Sequence, residues 1–366
     1  MTTIVPAETY LPCPDLGIIT TYFNPVGYQT LRCNYERFAA PIRQAGLNLI
    51  TVECAFGSGS FELDSSSQVI QVRSRDVMWL KERLINLAIA RLPSHVTKVA
   101  WLDADILFTN PAWAQETAAR LDDYPVVQPF DCVARQQHSR DMEAKARRRS
   151  FACQHQRRPE SAHLSSAAHG QPGIAWAARR ALLEKHTLYD AAIVGGGDEL
   201  FAHATGGGFN SRCVKAITGA RLQSRPKIVG KVVNRLLRLP WPSQLVAWYL
   251  ACLPAPPVSA PEEWFLAHYL AWAQPFYADV RGQVGCVPGV ALHLWHGHPV
   301  NRQYSHRNAL LKQHSFNPVA DLQLNEHGVW EWAGSKPGLA QQIRDYFYAR
   351  QEDNEAIGLV TKFSNR

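Results

Sequence analysis

The chain has 366 residues, 46% of them hydrophobic and 10% aromatic, which supports a sizeable core in one large domain or two ordinary ones and excludes general disorder. Its formal net charge is +7, which points to an anionic partner without separating nucleic acid, a phosphate-bearing substrate and a membrane surface. Sorting by position sharpens this. Residues 132–163 carry eight Lys/Arg against three acids, residues 212–238 carry eight more and no acid, and the rest of the chain is therefore net −6.

The first fifteen residues have neither a basic start nor an apolar stretch, so no signal peptide is expected. The most apolar candidate for a membrane span, Leu245–Leu253, is too short and is fenced by prolines on both sides. The eight cysteines are scattered with no CxxC pair, which argues against zinc ribbons and thioredoxin-like sites and for free thiols in a cytoplasmic protein. No internal repeat is apparent.

In chain order, Leu16–Thr21 reads as an apolar strand and Tyr22–Tyr28 as a loop containing Asn-Pro. Thr30–Ala45 has helical spacing and stops at Gly46, and Leu47–Val52 is a second strand with a Gly/Ser-rich loop after it. Val69–Val72 is a short strand, Asp76 is placed to cap a helix running to Leu92, and Thr97–Leu102 is a further strand. This alternation predicts an α/β fold with a mostly parallel sheet flanked by helices, whose ligands bind beyond the carboxyl ends of the strands. Residues 132–169 break the pattern and read as a basic insertion or loop, with an exposed helix over 137–149. An apolar Ile174–Ala178 follows Gly170-Gln171-Pro172-Gly173. After the second basic segment, Ala291–Gly297 reads as a Trp/His-rich strand and turn, and a helix begins near Asn301.

Three motifs carry chemistry. Asp103-Ala104-Asp105 closes an apolar strand, and two carboxylates there suit a divalent cation that bridges a diphosphate, since Mg²⁺ and Mn²⁺ prefer oxygen ligands. In Gly195-Gly196-Gly197-Asp198-Glu199, the glycines allow close backbone approach, and the acidic pair suits either a helix N-terminus or a general base, with Asp198 as the candidate. In His293-Leu294-Trp295-His296, either histidine can complete a metal site, while Arg302 and Arg307 can neutralise phosphate. Walker A, GxGxxG, GxSxG and HExxH sequences are all absent.

In this order the motifs resemble GT-A-fold glycosyltransferases, the superfamily of inverting β-1,4-galactosyltransferases and polypeptide N-acetylgalactosaminyltransferases, over roughly residues 14–130 and 170–312. The resemblance implies one GT-A domain over 1–366. Its parts are a nucleotide-sugar half at 14–130, the basic insertion at 131–169, an acceptor and catalytic half at 170–320 and a C-terminal tail at 321–366. It implies a metal-dependent hexosyltransferase that moves a sugar from a UDP-linked donor to a hydroxyl with inversion. On that match Asp103, Asp105 and His296 hold Mn²⁺ or Mg²⁺. Asp198 is the base, with Glu199 second. Thr21, Asn24, Glu53, Lys81, Arg83, Asn86, Asp103, Gly173 and Arg302 contact the donor. The galactosyltransferases carry Trp-Gly-Trp-Gly before the acidic pair, where this chain has Ile193-Val194-Gly195-Gly196. The acceptor stays open between a glycan or small molecule and a nucleic acid held by the segments 132–163 and 212–238, on which a hydroxymethylated base would receive the sugar. A nucleotidyltransferase and a non-catalytic binding module are the remaining readings, the first distinguished by release of pyrophosphate.

Overall fold

In the first strand, β1 (Leu16–Tyr22), alternate side chains enter two different cores: Ile19 joins one, Leu16 and Ile18 the other. A strand buried on both faces belongs inside a sheet covered by helices on each side. The computed structural model describes residues 4–137, 147–163, 168–220 and 263–354, and β1 lies near the middle of its main sheet. The other strands are β2 (Asn48–Phe56), β3 (Val69–Ser74), β4 (Lys98–Leu102), β5 (Ile106–Phe108), β6 (Val126–Gln128), β7 (Cys132–Arg135), β8 (Arg148–Arg149), β9 (Ala175–Arg179), β10 (Val284–Cys286), β11 (Val290–His293), β12 (Leu322–Leu324) and β13 (Trp330–Trp332). Seven strands form the main sheet in the order β10-β6-β9-β4-β1-β2-β3. Every neighbouring pair is parallel except those of β9, which runs antiparallel to both β4 and β6. This is the mixed, mostly parallel α/β arrangement expected from the sequence. A second sheet, β5-β11-β7-β8, stands beside it.

The helices follow the apolar spacing. Helix α1 (Gln29–Gln44) buries Tyr35, Phe38, Ala39 and Ile42 in the core that holds Leu16 and Ile18. Helix α2 (Lys81–Ile89) buries Leu84, Ile85, Ala88 and Ile89 on the opposite face, with Ile19. Helix α3 (Trp113–Asp123) joins α1's side through the fully buried Trp113. The remaining described helices are α4 (Phe151–Arg157), α5 (Arg180–His186), α6 (Gly197–Thr205), α7 (Arg212–Thr218), α8 (Trp264–Val280), α9 (Tyr304–Gln313), the short α10 (Pro318–Asp321) and α11 (Pro337–Ala349).

Three expectations are corrected. Asp76 does not cap α2, which starts at Lys81; its carboxylate accepts from the backbone N–H of Trp332 instead. Residues 77–80 stay out of the helix because Met78 and Leu80 are drawn fully into the core and the Trp79 N–H bonds to the Ile193 carbonyl. The region 132–169 is no plain loop. It supplies β7, β8 and α4, and Phe151, Ala152 and His169 are fully buried. Two adjacent apolar residues in a polar stretch make no periodicity of their own. They become core only because Trp176, His169 and His203 surround Phe151. Finally, the end of the helix expected over 137–149 is strand β8, paired with β7; its residues 138–146 lie outside the described residues.

The apolar candidate Leu245–Leu253, Cys252 and most of the basic segment 212–238 also lie outside the described residues, of which 212–220 belong to α7 and the turn after it. Among the described residues no helix is long and apolar enough to cross a membrane, and none of the seven cysteines is in a disulfide. The segment expected as a C-terminal tail packs through Leu339, Ile343, Tyr346 and Phe347 of α11. Asp353 then accepts from the backbone N–H groups of Gln29 and Thr30, satisfying donors that the first turn of α1 leaves open.

Candidate active site

A cavity of about 630 Å³ opens at the carboxyl ends of β1 and β4, where parallel sheets place their ligands. Thr21 comes from the end of β1 and Asp103 and Asp105 follow β4, while Gly173 precedes β9. Because β9 is antiparallel, its start rather than its end lies at this edge, and the Asp103 N–H bonds to the Ile174 carbonyl. Ile174 sits at φ +78°, a conformation that a β-branched residue adopts only where its surroundings impose it.

Lys81, the first residue of α2, lies at the centre. Its ammonium is 2.6 Å from Asp103 Oδ1 and 2.8 Å from Asp198 Oδ2, and only 7% of the side chain is exposed. Burial works against that charge, but Asp103, Asp198 and Glu82 more than offset it and raise the lysine pKa, so it stays protonated. The carboxylates feel the opposite strain. Burial, together with the neighbouring Asp198 and Asp105, lifts Asp103 to about 7 against the pull of Lys81. Burial likewise lifts Glu82 to about 8. The glycines before Asp198 make this crowding feasible. Gly196 takes φ +98° as the cap of α6, and a Cβ on Gly197 would stand 2.1 Å from the Glu82 carboxylate.

Asp105 belongs to a different group. The antiparallel pairing of β5 with β11 sets His293 opposite Ile106, and the Leu294 N–H bonds to the Asp105 carbonyl. His293 Nε2 is thereby 3.4 Å from Asp105 Oδ1, His296 Nε2 is 3.2 Å from Asp105 Oδ2, and the two imidazole nitrogens face each other at 3.3 Å. The Oδ1 atom of Asp105 is buried without a hydrogen-bond partner. Burial alone would raise Asp105, but His293, His296 and Arg302 hold its pKa far below the ordinary value. Burial pushes His293 down to about 3 against the pull of Asp105. Behind His296, the Glu352 carboxylate lies 3.7 Å from Nδ1, just beyond hydrogen-bond distance, and is itself paired with Arg350. These residues fit a divalent cation: two imidazoles and one carboxylate, one of whose buried oxygens has no hydrogen-bond partner.

Around this group stand guanidiniums. Arg302 contacts His296 and the Tyr304 hydroxyl, and its Nε is buried without a hydrogen-bond partner. Arg307 bonds Tyr346, and its Nε is likewise unsatisfied. Arg135 also lines the cavity, and burial and then Arg302 and Arg148 lower its pKa. Like charges forced together in a partly buried space suit an anion.

Of the sequence-derived candidates, Thr21, Asn24, Lys81, Asp103, Asp105, Gly173, Asp198, Glu199, His296 and Arg302 line the cavity. The structure groups Asp105 with both candidate histidines, His293 and His296, whereas Asp103 is turned to Lys81. Asn24 also forms a turn, its Oδ1 accepting from the N–H groups of Gly27 and Tyr28. Three candidates do not line the cavity. Glu53 is buried under the backbone N–H groups of Glu62 and Leu63 and the Gln71 amide. Arg83 bonds the Gly328 carbonyl and Asp190, and Asn86 bonds the backbone at Leu188. Residues that sequence reasoning passed over include Glu82, Arg135, Arg350 and Glu352. The spacing Lys81-Glu82 and the pair Arg350/Glu352 are visible in the sequence, but nothing local connects them to Asp103 or His296.

No family model and no curated protein matches the chain. Among solved structures, it is similar to the catalytic domain of Drosophila beta1,4galactosyltransferase 7 in complex with xylobiose, at 11% identity and a TM-score of 0.26, over 52% of this chain and 59% of that one. A mutant of that enzyme in complex with manganese, UDP-Gal and xylobiose gives 12% identity and 0.26 over 51% and 59%. The chain thus spans under two thirds of the structures it matches, and a likeness this weak carries no argument about mechanism.

Proposed function

We propose that the protein is a metal-assisted glycosyltransferase that moves a sugar from a nucleotide sugar, UDP-linked in the first instance, to an acceptor hydroxyl. The observation that carries the reading is the juxtaposition of Asp105, His293 and His296 with the under-satisfied guanidiniums of Arg302 and Arg307 at one end of the sheet. That is the chemistry a metal-bound diphosphate needs. Asp105, His293 and His296 would hold the cation, which as Mn²⁺ or Mg²⁺ offsets negative charge on the leaving diphosphate. Arg302 and Arg135 bind the phosphate oxygens. Asp198 accepts the proton of the attacking hydroxyl through Oδ1, since Oδ2 is held by Lys81. Lys81 keeps Asp103 and Asp198 together and in register with Gly173, whose missing Cβ would lie 3.0 Å from Asp198 Oδ2. Glu199 is the weaker base because its carboxylate is engaged by His169 at 3.1 Å. Direct displacement with Asp198 opposite the diphosphate inverts the anomeric centre.

The test is incubation with a panel of UDP- and GDP-sugars, Mn²⁺ and candidate acceptor alcohols. Release of nucleoside diphosphate with transfer of the sugar supports the reading. Release of pyrophosphate from a nucleoside triphosphate would replace it with nucleotidyl transfer, and no turnover with any donor would overturn it.

A further inference from the structure

A second cluster of ligand-grade side chains borders the same cavity through Glu199 and Cys213 and is not required by the proposed reaction. Helix α6 places Glu199 and His203 four residues apart on one face, α7 contributes Cys213 near its start, and His169 arrives from the segment before β9. One donor atom from each lies within 4.8 Å of all the others. His169 Nε2 is 3.1 Å from Glu199 Oε1 and 3.5 Å from Cys213 Sγ, and His203 Nε2 is 3.8 Å from Glu199 Oε1.

The hydrogen bonds behind the rings orient them for a cation. His203 Nδ1 is 2.7 Å from the Ala162 carbonyl, and His169 Nδ1 is 3.1 Å from the Gly170 carbonyl. The Ala162 carbonyl only accepts, so His203 Nδ1 carries the proton and its Nε2 presents a lone pair to the cluster, while His169 Nε2 meets the Glu199 carboxylate in a contact that an ion would take over. Both rings are fully buried, and His203 Nε2 has no hydrogen-bond partner. An unsatisfied imidazole nitrogen on a fully buried ring costs free energy unless something fills its lone pair. Phe151 walls the group, its ring 5.8 Å from that of His169 and 6.2 Å from that of His203.

We propose that His169, Glu199, His203 and Cys213 form a zinc site that ties α6, α7 and the approach to β9 together. Two neutral imidazoles, one thiolate and one carboxylate make a four-coordinate set of the kind zinc prefers, and their two negative charges balance the ion in a buried place. Tetrahedral zinc with ordinary bond lengths spaces its ligand atoms about 3.3 to 3.6 Å apart, and the 3.1, 3.5 and 3.8 Å separations above bracket that range. The Cys213 thiol gives up its proton to solvent as the ion binds. The softer thiolate separates this site from the Asp105 group, which has none. Because all four positions are filled by the protein, the ion is structural. It fixes the first turn of α6, from which Asp198 projects.

The test needs no donor or acceptor, so its failure is distinct from failure of the proposed transferase activity. Elemental analysis of the chain after gel filtration with a mild chelator should find one zinc per chain, kept in Asp105→Asn and lost in Cys213→Ser and His203→Gln. Cobalt exchanged into the wild type should give a thiolate-to-cobalt charge-transfer band and the intense visible bands of a tetrahedral ion, both missing in Cys213→Ser. If those variants do not fold, alkylation of Cys213 in the wild type, followed by peptide mass spectrometry, decides. Strong chelation should speed it at least about tenfold, because a thiolate bound to the ion is shielded from the reagent. Absence of stoichiometric zinc, an octahedral cobalt spectrum without the thiolate band, or unchanged Cys213 reactivity would each overturn the proposal.

Discussion

The two metal-capable groups of this protein use the same basic kit, a carboxylate and two buried histidines, and both reach the same cavity. Asp105, His293 and His296 are bordered by Arg302 and have no sulfur ligand. His169, Glu199, His203 and Cys213 add a thiol, and their imidazoles are held from behind by backbone carbonyls. The difference teaches that residue type alone does not assign a role. The charged neighbours and the fourth ligand do. A group bordered by guanidiniums suits a cation shared with an anionic substrate, while a group completed by a thiolate suits a structural ion. Lys81 joins the two, because Asp103 lies two residues from Asp105 and Asp198 adjoins Glu199.

That tie is the place to strike hardest. Lys81→Met leaves Asp103, Asp198 and Glu82 without their buried counter-charge, and breaking a buried pair in this way costs about 3–5 kcal/mol. Urea denaturation should show that loss; a change under about 1 kcal/mol would mean the carboxylates reach solvent instead. Next is Asp105→Asn, which should lower kcat/KM at least about a hundredfold, or about 2.7 kcal/mol, while the melting temperature stays near that of the wild type. Full turnover in that variant would move the catalytic cation elsewhere. Smaller still is Glu352→Gln. It removes the carboxylate behind His296 and should weaken Mn²⁺ binding about tenfold, measured by titration calorimetry. Equal affinity would make the Glu352–His296 contact incidental.

A pH effect concerns the wall of the second group. His155 stacks on Phe151 with ring centroids 5.7 Å apart, and burial depresses its pKa to about 4. The unfolded chain takes up that proton at 6.5, the folded chain only near 4, so stability should rise with pH between about 4 and 6.5. His155→Phe should remove that part of the slope in denaturation curves taken across the window. An unchanged slope would mean that water reaches the ring.

Local chemistry made much of this legible. Apolar runs of strand length bracketed α1 and α2, and Gly46, at φ +65°, marks the end of α1's turn as glycine at such a position should. The Asp-x-Asp after β4 and the Gly-Gly-Gly-Asp-Glu before α6 were visible because a motif of five residues holds its own geometry. Glu53 was misleading for a physical reason. A carboxylate at a strand end looks the same in sequence whether it meets a ligand or, as here, the backbone N–H groups of a returning loop. Region 132–169 was opaque because its apolar residues Phe151 and Ala152 find their partners on β9 and α6, far along the chain.

The sequence by itself determined the class of fold, the carboxylates beyond β4 and the acidic start of α6, since each follows from periodicity, propensity or short-range sterics. Only the tertiary structure decided which carboxylate meets which cation. Two residues apart on one turn, Asp103 goes to Lys81 and Asp105 to His293 and His296. The pairing of β5 with a strand almost two hundred residues later, and the entry of α2 under the main sheet, make that choice. Neither is encoded near the motif, because burial rewards contacts by distance in space and takes no account of distance along the chain.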